Sequence, residues 1–117
     1  MKRAVVCAAF CAAACVQDID RDLQDDVTIV AEREGTLTEA ATARLARRGV
    51  RAIPSIETAL HTARPSGRAN LIVALRRIGD RQAVPILRHF GRYDADEAVR
   101  REALYTLRSW NVPDAGS

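Results

Sequence analysis

Residues 68–90 read RANLIVALRRIGDRQAVPILRHF, and this stretch decides the fold. Leu71, Leu75 and Ile78 recur at i, i+4 and i+7, which places them on one stripe of a helix. Gly79 supplies a residue able to take the left-handed conformation that ends a helix, and Asp80 is set to cap the next one. Ala83, Leu87 and Phe90 form a second stripe, broadened by Val84 and Ile86. Pro85 is compatible with a helix start, because first-turn N–H groups have no intrahelical partner. The stretch predicts a helical hairpin with two apolar inner faces.

Working outward, the sequence repeats itself. Ala52-Ile53-Pro54 recurs 31 residues later as Ala83-Val84-Pro85. Leu71-Ile72-x-x-Leu75-Arg76-x-Ile78-Gly79 recurs 32 residues later as Ala103-Leu104-x-x-Leu107-Arg108-x-Trp110-Asn111. Leu45-Ala46-Arg47-Arg48 before Gly49 is a looser copy of the same helix end. A hairpin cannot bury both stripes alone, so a period of this length predicts stacked neighbours.

The other segments fit that series. Thr36 and Glu39 have the spacing of a capping box, predicting a helix to Arg48 with Leu37, Ala41 and Leu45 on its apolar side. Ala52-Ile53-Pro54-Ser55-Ile56 opens the next helix, continued by Leu60. Pro65-Ser66-Gly67 closes it and begins the helix of Leu71. Asp94 and Glu97 form a second candidate capping box, ahead of Val99, Ala103, Leu107 and Trp110. Trp110 matches Ile78 in the repeat, which predicts core packing. Upstream, Ile19, Leu23, Val27 and Val30 or Ala31 fall at helical spacing within an acidic stretch, residues 16–34, that reads equally as one full helix or as a solvated tether followed by a helix from Leu23 onward.

Residues 74–87, ALRRIGDRQAVPIL, resemble a HEAT repeat of the short bacterial kind related to the bilin-lyase modules, in which "AL..IGD..AVP.L" marks the turn between the two helices. The resemblance covers residues 36–111. It implies an all-α fold, a short α-solenoid of stacked antiparallel helical hairpins with five to six helices, flanked by a capping helix within residues 15–35 and a frayed tail at 112–117. Composition agrees: 48% of residues are hydrophobic, much of that alanine, and only 4% aromatic, which suits close-packed helices better than a β sandwich.

Residues 1–14 have a different character. Lys2 and Arg3 precede an uncharged apolar run, Ala4 to Ala14, too short to span a bilayer. Ala12-Ala13-Ala14 then stands before Cys15. This resembles the signal of a bacterial lipoprotein, with Ala12 where that family usually carries a larger aliphatic residue. It implies a lipid on Cys15 and anchoring in the cell envelope, with Val16 favouring the periplasmic face of the outer membrane. An ordinary cleaved secretory signal, giving a soluble periplasmic or secreted protein, is the alternative. The three cysteines at positions 7, 11 and 15 leave none for a thiol nucleophile or a Cys-based metal site in the repeats.

No nucleophile elbow, zinc-binding helix or phosphate loop occurs, so no catalytic residue, cofactor or metal ligand is assigned. The two histidines, His61 and His89, are not at equivalent repeat positions and lack a ligand at i+3 or i+4. Lys2 is the only lysine among 18 basic residues. Arg47, Arg48, Arg76, Arg77 and Arg108 sit in last turns, where a cation suits the helix dipole, so a phosphate-binding role is not expected. The exposed binding surface implied by the family is the second-helix face, with Glu57, Thr58 and His61 followed by Gln82, Arg88, His89 and Arg92. The expected function is a non-catalytic module docking another envelope protein or peptide. A lyase-like or accessory protein acting on a bound small molecule is the alternative, and a basic module binding nucleic acid is a weaker one that requires an uncleaved N-terminus.

Overall fold

The computed structural model describes residues 21–113. The signal segment, Cys15 and the first acidic residues lie outside the described residues, as does the end of the tail. Within them the chain is all-α, with helices α1 (21–32), α2 (Thr36–Arg48), α3 (Ile53–Leu60), α4 (Pro65–Ile78), α5 (Val84–Tyr93) and α6 (Glu97–Ser109). They form two layers. Helices α2, α4 and α6 pack side by side in one, with Arg77 of α4 reaching Glu39 of α2 and Arg76 reaching Glu102 of α6. Helices α1, α3 and α5 make the other, where the Gln24 amide donates to Ser55 Oγ at 3.0 Å and the His61 ring lies 5.9 Å from Phe90.

The repeat seen in sequence becomes a repeated joint. A 3-10 turn, Gly49–Ala52, leads into α3, and another, Arg81–Ala83, leads into α5. Ala52 and Ala83 are fully buried at these joints, and Pro54 and Pro85 stand in the first turns of α3 and α5. Gly79 ends α4 at φ 73°, with its N–H donating to the Leu75 carbonyl at 3.0 Å. Leu71, Leu75 and Leu87 reach zero exposure in one core cluster that also takes in Val27, Val30, Leu45, Ile56 and Leu107.

Helix α5 packs extensively on α6, across the hairpins, and far less on its hairpin partner α4. Small residues permit it: Gly91 and Ala103 are buried at the crossing, and a Cβ on Gly91 would stand 3.0 Å from a Leu104 methyl. Two expectations about the core need revision. Leu37 is 60% exposed, because α2 has no neighbour on that side among the described residues. Val112, placed in the frayed tail, is 8% exposed, and its N–H donates to the Leu107 carbonyl.

Neither capping box forms as spaced. Thr36 lies inside α2, whose first turn starts from Gly35 without a side-chain cap. At α6 the cap is Asp96, which accepts the Val99 N–H at 3.1 Å, while Asp94 serves elsewhere. Asp96→Ala is therefore expected to cost about 1 kcal/mol in urea denaturation, and Thr36→Ala less than about 0.5 kcal/mol. The reverse order would restore the spacing-based assignment.

Candidate docking groove

The layer of α1, α3 and α5 carries two grooves. One, of about 300 Å³ between α1 and α3, is lined by hydroxyls and amides, including Gln24, Thr28, Ser55, Thr58 and Thr62. The other lies between α3 and α5, encloses about 540 Å³ and has an apolar floor of Ile53, Ile86 and Phe90. These three retain 5, 8 and 7% exposure where most of the core has none, so water still meets part of the hydrophobic interior here.

Helical spacing explains which side chains edge this groove. Glu57 of α3 and His61, which caps its C-terminal end, stand four residues apart, one turn above another on a single face. On α5, Pro85 and His89 do the same, with Gln82 contributed by the 3-10 turn before the helix. His61 comes just after α3 at its C-terminal end, and His89 falls mid-helix, so their repeat positions differ. They nonetheless meet the same ring. His61 is tilted against Phe90 at 5.9 Å, and His89 meets it edge-on at 5.2 Å.

Of the surface residues expected from sequence, Glu57, His61 and His89 are brought together in this groove with Gln82, whereas Thr58 turns to the α1–α3 groove. Arg88 and Arg92 are exposed but do not line it; they occupy the outer flank of α5, just past the lip formed by Pro85 and His89. Sequence reasoning missed Tyr93, which is 67% exposed, lies 5.5 Å from the His89 ring and has the Arg92 guanidinium 5.9 Å from its own. Its spacing of three from Phe90 was the available signal. The paired prolines, Pro54 and Pro85, start their helices and also form the groove's upper edge.

The lower end of the groove is fixed by a buried ion pair. Arg68 of α4 donates Nε to Asp94 Oδ2 at 2.8 Å and Nη2 to Oδ1 at 3.0 Å, while Nη1 holds the Ala63 carbonyl at 2.8 Å. Asp94 also accepts the Asp96 N–H at 2.8 Å. Burial pushes the Asp94 carboxyl up, but the Arg68 and Asp96 hydrogen bonds and the charges of Arg68 and Arg100 outweigh it and hold the group below its ordinary value. This clasp ties the end of α5 to the start of α4, beside His61, His89 and Tyr93.

Among the described residues no cluster of three or more His, Cys, Asp or Glu could hold a metal ion, and no helix is long and apolar enough to cross a membrane. What the arrangement offers is a surface: two layers of stacked helices, a repeated joint, and grooves on both layers, including one of about 490 Å³ between α2 and α4. That is the architecture of an α-solenoid. The family model for HEAT repeats matches residues 29–115, and the chain belongs to that family. Neither curated proteins nor solved structures show a significant similarity to it. HEAT repeats generally mediate protein–protein interaction.

Proposed function

We propose that this chain is a non-catalytic docking module that holds another envelope protein or peptide against its α1–α3–α5 face and is anchored to the membrane by a lipid on Cys15. The α3–α5 groove carries the reading. It joins an incompletely covered apolar floor to Glu57, His61 and His89, a combination suited to recognising a side chain and its flanking polar groups. Two other polar clusters serve packing: Asp94 clasps Arg68, and Glu102 and Thr106 receive Arg76. Support for the anchor comes from sequence, in Lys2-Arg3, the apolar run to Ala14 and the small residues before Cys15. A diacylglycerol on the cysteine with an acyl chain on its new amine would hold the protein at the membrane more firmly than a single chain could.

One cellular experiment tests both parts. A photo-cross-linking amino acid replaces Glu57 in the groove or Arg108 on the opposite layer, with and without Cys15→Ser. A discrete adduct is expected from position 57 and not from 108, in the membrane fraction, with palmitate label. Cys15→Ser is expected to abolish the label and release the protein to the soluble fraction. Equal adducts from both positions would remove the face assignment, and an unlabelled, soluble wild type would remove the anchor.

A further inference from the structure

The surroundings of the α3–α5 groove differ in charge: Glu57 is the only Asp, Glu, Lys or Arg lining it, and arginines stand beyond its α5 lip. Residues 81–93, the α5 side, carry Arg81, Arg88 and Arg92 and no acid. Arg81 donates to the Trp110 carbonyl at 3.3 Å and is committed to the end of α6. Arg88 and Arg92 have no carboxylate within 4 Å among the described residues, whereas Arg44, Arg68, Arg76, Arg77 and Arg101 each pair with one. Across the groove, Glu57 is the only acid of α3. A segment lying in the groove therefore meets Glu57, and one that continues over the Pro85–His89 lip reaches Arg88 and Arg92 on the outer flank of α5.

The floor is narrow. His61 and His89 both stand against the Phe90 ring, at 5.9 and 5.2 Å, so aromatic rings cover part of the apolar floor. A floor of three slightly exposed residues, Ile53, Ile86 and Phe90, suits one apolar side chain better than the continuous stripe of an amphipathic helix. Arginine supplies planar, paired donors that match a carboxylate, and Arg92 is backed by the Tyr93 ring.

We propose that the groove takes an acidic peptide segment, one apolar side chain seating over Ile53, Ile86 and Phe90 while neighbouring carboxylates reach Arg88 and Arg92. Glu57 repels acids from the α3 side and so sets which way the segment crosses. This inference rests on the reading of the α3–α5 groove as the docking face, and names the chemistry of what docks there.

His61 and His89 are the only histidines of the chain, so their ring C–H resonances report on this groove alone. The test uses the full chain and three labelled peptides sharing a Leu-Pro-Phe centre, with flanks of Asp and Glu, of Ser and Gln, or of Lys. A single-stranded oligothymidylate is the fourth probe. Fluorescence anisotropy gives affinity, and the two histidine resonances give location. The acidic peptide is expected to bind about tenfold more tightly than the neutral one, moving both resonances. Arg88→Gln with Arg92→Gln is expected to reduce that preference to about twofold or less while leaving anchor-driven binding in place.

Equal binding of the neutral or basic peptide would overturn the acidic preference and leave the docking reading intact. Acidic-peptide binding that leaves both histidines unmoved would overturn the groove assignment. Oligothymidylate binding as tight as the acidic peptide, with the same shifts, would replace the peptide chemistry with nucleic acid. Failure of every peptide while position 57 still cross-links in cells would overturn the partner chemistry alone; failure of both would overturn the docking reading as well.

Discussion

Asp94→Ala is expected to cost about 3 kcal/mol of folding stability, the lower end of the range for breaking a buried ion pair. The Asp94 side chain is 3% exposed and that of Arg68 18%, so removing the carboxylate strands a guanidinium with only the Ala63 carbonyl for a partner. Against a total stability of roughly 5–15 kcal/mol, such a loss is large and readable as a shift in urea midpoint. Arg68→Met combined with Asp94→Leu is expected to recover much of it, because neither charge is then buried alone. The carboxyl is held below its ordinary value when folded, so its contribution is present above the unfolded value, about 3.9, and is lost as pH falls through the lower folded value. The wild type should therefore weaken more steeply than Asp94→Ala below about pH 4. Parallel acid profiles would show that the clasp contributes nothing.

The second large effect runs against helix propensity. Alanine normally favours a helix over glycine by up to about 1 kcal/mol. At Gly67, in the first turn of α4, an added Cβ would stand 2.1 Å from the Ala31 carbonyl oxygen and 3.0 Å from its carbon. Both are backbone atoms, so no side chain can swing aside and α1 must move off α4. Gly67→Ala is expected to destabilise by about 2 kcal/mol net, overpacking outweighing the propensity gain. Displacing α1 would strain the contacts of Val27, Val30 and the Asn70 amide, which donates to the Val30 carbonyl at 3.5 Å. Faster hydrogen exchange in α1 should accompany the loss. A stabilised variant would mean that the two helices approach less closely.

The parts of the fold legible in the sequence were those governed by local rules. Leu71, Leu75 and Leu87 gave themselves away by spacing, Gly79 by its position after the last apolar residue, and the two joints by the recurrence of Ala-Ile/Val-Pro. Cap assignment failed because two acids lie within one turn before α6: spacing favours Asp94, but Arg68, 26 residues away, takes it and leaves Asp96 to cap. Leu37 looked like core from its period, yet burial depends on a neighbour that α2 lacks among the described residues. The close pass of Gly67 against Ala31 left no trace beyond an ordinary Pro-Ser-Gly turn signal. For the groove, Glu57, His61 and His89 were legible as exposed second-helix residues. Their convergence on Phe90 was not, since the two histidines sit at different repeat positions and only the crossing of α3 and α5 brings them to one ring.

Helix α4 has a further consequence, for how the chain folds. Its side chains reach Val30 of α1, Glu39 of α2, Asp94 after α5, and Glu102 and Thr106 of α6, so it bonds in both directions along the stack. The side-chain hydrogen bonds joining different helices span separations of 18 to 40 residues, with none linking the first helix to the last among the described residues. Loop closure over such short separations carries little entropic penalty, and no step has to bring distant ends together. Order can therefore start at the centre and spread outward one interface at a time, with the termini the last to be recruited and the first to let go.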